Sequence, residues 1–312
     1  MASQIELRVV APQPGAARAV ELAADRIRAV ARHLTRFEET SALSRANAAP
    51  SAWHEVPREL AAAVEEARRA YLETGGLFDP RVLDALLGWG YDRTFSQVPG
   101  VDPTALPCDV AGSDALAYPV PDDPWEPTVL PGRDGWGLLH LGGTPIDLGG
   151  IGKGLAVRWA TDELRGAGSS VLVDAGGDEW LGGPGPDGEG WLVGVEDPRP
   201  DATDPVLVLV LTDLGVATSS VRRRRWRAGA TAVHHLVDPR TGLPGGQGLA
   251  QVTVVHQDPA WAEVWSKALF LAGADSVAAQ AEARDLAAAW VDADGVTHTS
   301  PAMDPRVVWR AA

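Results

Sequence analysis

The sequence predicts an α+β fold built around a mixed sheet. Three observations carry this. Alternating or continuous apolar runs of strand length recur along the chain. Helical periodicities stand between some of them but not all, so there is no strict βαβ alternation. Glycine is frequent, at 34 of 312 residues, as expected where many short elements are joined by tight turns.

Residues 4–10 alternate and read as a strand. Residues 16–34 place Val20, Ala23, Ile27, Val30 and Leu34 at helical spacing. Pro57 opens a second helix with Leu60, Val64, Ala67 and Tyr71 on one face, and Gly75-Gly76 stops it near Glu73. The segment from about 96 to 143 is rich in Pro, Gly and Asp and reads as irregular. Its Trp125 and Trp136 imply that parts of it pack down and that short elements lie within it. A helix is expected over 154–165, ended by Gly166 or Gly168. "SVLVDAGGD", "GWLVGVEDP", "PVLVLVLTD" and "LAQVTVV" read as strands, followed by helices over Pro259–Leu271 and near Val277–Ala283. "AAAWVDADG" is expected to end the sheet. No internal repeat is present, and 1–312 reads as a single domain with a sizeable core.

Composition excludes several classes. A net charge of −15 argues against general affinity for nucleic acid or anionic membrane. Cys108 is the single cysteine, so there is no intrachain disulfide and no cysteine-built zinc site. No apolar run approaches the length of a membrane span. The first residues lack a basic region followed by an apolar core, which leads to the expectation of a cytoplasmic protein, or of an exported one whose leader lies outside this chain. Of 27 basic residues only Lys153 and Lys267 are lysine, positions where a compact ammonium serves and arginine's rigid fork does not.

The stretch "DLGGIGKGLA", from Asp147, looks like a phosphate loop. A Walker loop needs Gly-Lys-Ser/Thr, and here Lys153 is followed by Gly154. A Rossmann fingerprint needs a third glycine where Leu155 stands. One reading is a glycine-rich turn before a helix. The other is an anion site made by loop amides at a helix start, with Lys153 adding a mobile charge.

At this loop the chain resembles the ApbE family of FAD:protein FMN transferases, and the likeness extends over most of its length. "RFEETSALSRAN" (Arg36 to Asn47), "TGGLFDPRVLDALLGWGY" (Thr74 to Tyr91), "VDAGGD" (Val173 to Asp178), "GVATSS" (Gly215 to Ser220) and "HHLVDPRTGLP" (His234 to Pro244) each resemble a family segment, in family order. The resemblance implies an ApbE-like, T-fold-like architecture of two interwoven lobes with FAD in the cleft between them. FMN would move from FAD to a Thr or Ser hydroxyl in a flavinylation motif of an acceptor protein, with release of AMP and with Mg²⁺ on the pyrophosphate.

Carried over by position, the resemblance implies FAD contacts at Asn47, Phe78, Asp79, Trp89, Gly149, Gly150, Ile151, Lys153, Asp178, Thr218, Ser219, Arg240 and Thr241. It implies catalytic roles for His235, His234 and Asp238, with His235 as the base or hydrogen-bonding group beside the acceptor hydroxyl. Each position also has a plain structural reading. Phe78 and Trp89 suit a core, Asp79-Pro80 and "DPRTG" suit turns, and neighbouring strand residues such as His234 and His235 face opposite sides, so one at most reaches a cleft. The run Arg222 to Arg225 reads either as a solvated face or as added positive potential.

The family's metal ligands are an Asp, a Thr four residues on, and a carbonyl of the glycine loop. Here those positions are Glu263, Lys267 and Gly152. A charged lysine does not ligate Mg²⁺. Three readings stand side by side: Glu263 and Lys267 form only an i,i+4 pair that stabilises an exposed helix, the Lys267 ammonium takes part of the metal's charge-neutralising role, or the site has lost the metal. A protein that binds FAD without transferring FMN, or that hydrolyses it as a pyrophosphatase, stays open alongside the transferase.

Overall fold

A computed structural model describes residues 4–93, 117–199, 202–222, 224–229 and 231–311. Cys108, Arg223 and the middle of the Pro/Gly-rich segment lie outside the described residues. The helices are α1 (Ala16–Leu34), α2 (Ala42–Ala48), α3 (Arg58–Glu73), α4 (Leu83–Gly88), α5 (Gly152–Leu164), α6 (Pro259–Ala272) and α7 (Ala274–Glu282).

A seven-stranded sheet organises them. Its strands, in spatial order, are Ile5–Val10, Ser170–Ala175, Glu179–Gly182, Leu214–Ser220, Leu249–His256, Ala287–Asp292 and Thr297–Thr299. The α+β expectation is met. The sheet, however, is antiparallel at every pairing and not mixed. Neighbouring strands are joined by hairpins or by long excursions that return at the end of the sheet they left, so no parallel crossover forms. The Ala287–Asp292 strand does not end the sheet, because Thr297–Thr299 turns back and pairs with it.

α5 and α6 cover one face, with α1 laid across α5. Their apolar side chains and the inward residues Val252 and Val254 form the main core. The opposite face carries a three-stranded sheet (Trp191–Glu196, Pro205–Leu211, Val307–Arg310), with Val216, Val255, Leu207 and Leu209 between the layers. Another small sheet pairs His54–Pro57, Trp136–His140 and Thr128–Pro131, so the stretch expected to be irregular contains two strands. Trp125 packs down there and its indole donates to the Leu141 carbonyl at 3.0 Å, whereas Trp136 stays exposed.

α6 explains much of the site's position. Asp258 caps it by accepting from the Ala260 amide at 2.9 Å, Pro259 starts it and Gly273 ends it. Almost every side chain on it is buried, as in a helix enclosed on all sides. Arg158, on α5, ties that helix to α6 by pairing with Asp258 and to α3 by pairing with Glu66. Among the described residues no helix is long and apolar enough to cross a membrane.

Candidate functional site

A cavity of about 890 Å³ opens where the glycine loop, the start of α5, α6 and the strand Leu214–Ser220 converge. That volume lies within the range of small-molecule sites. Twelve residues expected from the sequence line it: Phe78, Asp79, Gly149, Gly150, Gly152, Lys153, Asp178, Thr218, Ser219, His235, Glu263 and Lys267.

The loop is positioned from a distance. Asn47 receives the Ile146 amide at 2.9 Å and donates to the Ile146 carbonyl at 2.8 Å, so it holds the chain just before the loop without lining the cavity itself. Asp147 accepts from Arg36 Nε at 2.6 Å and from the Gly149 amide at 2.7 Å. Arg36 also donates to the Tyr91 carbonyl at 2.6 Å, and its guanidinium lies over the rings of Phe37 and Tyr91. Asp147→Asn removes the charge from this buried pair and is expected to lower unfolding free energy by about 2 kcal/mol. The check is a shifted denaturant midpoint at unchanged slope.

The anion cradle expected of the loop is largely spent inside the protein. The Gly149 amide goes to Asp147. Those of Ile151 and Gly152 donate to the Leu148 carbonyl at 3.2 and 2.8 Å, because the loop closes as a tight turn. The Gly154 amide donates to Glu263 Oε2 at 2.8 Å. Ile151 itself is a core residue, turned away from the cavity. The site therefore depends more on side-chain charge than on loop amides.

That charge is arranged around Glu263. Lys153 pairs with Asp178, and its Nζ lies 3.8 Å from Glu263 Oε1. Lys267 enters from one helical turn beyond Glu263, and its stem crosses Gly150. A Cβ at position 150 would lie 2.5 Å from Lys267 Cε and 3.0 Å from Phe78, so any larger residue there would displace the end of the Lys267 side chain. Burial pushes the Glu263 carboxyl up to about 7 against the pull of Lys153. Burial lowers Lys267, with Glu263 opposing. The exposed i,i+4 pair is not what forms: Glu263 is 4% exposed, and among the described residues the two make no ion pair. Ser266 points elsewhere, to Ser219 Oγ at 3.0 Å and to the Glu263 carbonyl.

Of the two histidines, one reaches the cavity, although the second lies just past the end of the strand and is turned there by the bend that follows. His234 ends the strand Thr231–His234 and packs edge-on against Phe270. His235 faces the cavity, with Nδ1 3.3 Å from the Arg224 carbonyl, which leaves Nε2 as the acceptor nitrogen. Burial first, then Arg224, Lys267 and His234, hold His235 well below its usual value, so it is neutral at physiological pH.

Four other expected residues are placed away from the cavity. Asp238 spends its carboxylate on the amide and guanidinium of Arg240, and Arg240 also donates to the Leu271 carbonyl. Thr241 accepts from the Leu243 amide within the same turn. Here the turn reading of "DPRTG" prevails, because every polar group closes on its neighbour. Trp89 is buried among Tyr91, Trp226 and Val237, and its carbonyl accepts from the Trp226 indole.

Sequence reasoning missed Arg36, Asp174, Glu179, Gln251 and Thr253, all on the cavity wall. Arg36 stands at the head of a recognised segment. The strand positions gave no signal, since alternation alone does not say which face meets a cavity. Glu179 is pushed up to about 7 by burial, with Asp174, Asp178 and Glu6 adding to it, against 4.5 ordinarily. Its contribution to stability is therefore full below pH 4.5 and is lost as pH rises through 7. Glu179→Gln is expected to raise stability by about 2 kcal/mol at pH 8 and to change little at pH 4.5, after allowance for solvent screening. Urea titrations at the two pH values measure it.

Comparison with known proteins bears on the family and the fold. The ApbE family profile matches residues 1–290. The FAD:protein FMN transferase of Treponema pallidum (strain Nichols) is 30% identical over 252 residues, covering 77% of this chain and 67% of that protein. The FAD:protein FMN transferase of Klebsiella pneumoniae (strain 342) is 30% identical over 149 residues, so the match spans only 45% of that relative's length. The crystal structure of the ApbE protein from Thermotoga maritima superposes with a TM-score of 0.77 at 25% identity, over 97% of this chain and 96% of that one. The apo flavinyl transferase ApbE of Pseudomonas stutzeri, at 23% identity and TM-score 0.76 over 100% and 95% of the two chains, shares the fold.

Proposed function

Because the chain belongs to the ApbE family, we propose that it acts, as one domain, as an FAD:protein FMN transferase. The observation that carries this reading is the meeting of His235, Lys153, Lys267 and the Asp147–Lys153 loop on one cavity wall. A neutral imidazole there can accept a proton, and two ammonium groups can neutralise a diphosphate.

In this reading FAD is a substrate. A threonine or serine hydroxyl of an acceptor protein attacks the phosphorus on the FMN side. The new bond is an oxygen–phosphorus ester to FMN. The bond that breaks joins that phosphorus to the bridging oxygen, which leaves with AMP. His235 Nε2 takes the hydroxyl proton, since an unassisted hydroxyl is a poor nucleophile at neutral pH. Negative charge grows on the bridging oxygen as the bond breaks, and positive side chains stabilise it. As the diphosphate approaches Lys267 and Arg224, it offsets the two charges that depress His235. The base strengthens when substrate is present.

A divalent cation of the expected kind does not fit these residues. Mg²⁺ asks for an octahedral shell of oxygen ligands. Lys267 brings an ammonium, and Glu263 already accepts from the Gly154 amide. No step is assigned to a metal.

The test is incubation of the chain with FAD and a protein or peptide bearing a threonine flavinylation motif. The expected result is an acceptor heavier by one FMN residue and one equivalent of AMP. FMN and AMP released without any acceptor adduct would replace transfer by hydrolysis.

A further inference from the structure

The chain's only two lysines line the same cavity and flank the same carboxylate. They are not equivalent. Lys153 is committed, pairing with Asp178 and approaching Glu263. Lys267 makes no ion pair among the described residues, although Glu263 lies one turn behind it. Its stem passes over Gly150, where an added Cβ would lie 2.5 Å from Lys267 Cε and 3.1 Å from Cδ, so the end of the side chain sits against the loop. The near-continuous burial of α6 fixes the direction from which it enters. A desolvated, positioned and uncommitted cation on a cavity wall is a site for an anion. With the loop amides of Gly149, Ile151, Gly152 and Gly154 already donated, more of the anion's charge falls to side chains, Lys267 among them.

We propose that Lys267 is a built-in counter-charge for the diphosphate of FAD, so that this chain binds the dinucleotide without a divalent cation. The proposal rests on the transferase reading for the identity of the ligand. It gives that reading a specific form, in which the ammonium of α6 faces the bridge between the two phosphates across Gly150.

The experiment is calorimetric titration of FAD into the full chain, once in chelator and once in magnesium, for wild type and Lys267→Met. Methionine keeps the apolar stem and removes the charge, and circular dichroism with the melting temperature reports whether the variant folds. Wild type is expected to bind FAD with a Kd that agrees within about twofold in the two buffers. The variant is expected to bind about tenfold or more weakly in chelator, the usual cost of losing one charge-assisted contact. A wild-type Kd that tightens about tenfold or more on adding magnesium overturns the proposal and leaves the transferase reading standing. So does a folded Lys267→Met with wild-type affinity in chelator. Absence of FAD binding to wild type in both buffers overturns the two together. The wild-type comparison decides the matter even if the variant does not fold.

Discussion

His235→Ala is expected to slow FMN transfer by about 10²–10⁴-fold while FAD still binds with a Kd within about threefold of wild type. The factor is the usual contribution of one positioned general base. The split between rate and binding follows from placement. His235 is on the cavity wall, yet the diphosphate charge is met by the lysines and not by an imidazole that is neutral at physiological pH. In the free chain the value lies below 6.5, so kcat/KM of wild type is expected to be flat from pH 6.5 to 8 and to fall on further acidification. Single-turnover transfer to a threonine acceptor, followed by mass spectrometry, measures the rate. Transfer that proceeds at the wild-type rate in the variant removes His235 from the chemistry. Loss of FAD binding in step with loss of rate makes it a binding residue instead.

Gly154→Ala is expected to destabilise the fold by about 3 kcal/mol, at the upper end of the overpacking range. Gly154 is part of the phosphate-loop-like stretch, but the structure gives it a packing role. A Cβ there would lie 2.5 Å from Ala260 Cα and 2.6 Å from the Pro259 carbonyl oxygen. Both are backbone atoms at the start of α6, and backbone has no rotamer by which to retreat. The helices would separate, and with them would go the bond between the Gly154 amide and Glu263. Equilibrium denaturation reads the loss directly. Gly152→Ala is the control, since nothing lies within 4 Å of a Cβ at that position. If both variants unfold at the wild-type midpoint, the close approach of α5 and α6 is not as described.

Most of the scaffold was legible in the sequence, and particular residues show why. Val20, Ala23, Ile27, Val30 and Leu34 announce α1, and four of them are buried as that spacing requires. Asp258-Pro259 and Gly273 bracket α6 through capping chemistry that acts within a few residues. The short helices α2 and α4 were not read, because seven- and six-residue segments show too little periodicity. Sheet direction was not legible either, since pairing depends on where a strand returns and not on its own composition.

The site divides along the same line. The sequence by itself determined which residue types are present: two lysines in a chain of arginines, a glycine loop, paired histidines, a Glu and a Lys one helical turn apart. Only the tertiary structure decided which of their groups remain free to meet a ligand. The Gly154 amide is taken by Glu263, 109 residues away, and Asp147 is taken by Arg36, 111 residues away. Polar groups bond to whatever folding brings within about 3 Å, and burial then shifts their charge. Neither partner nor burial is written in the local stretch, so the loop that looked like the anion site is mostly self-satisfied, and the ammonium of Lys267 stands beside it with no ion pair among the described residues.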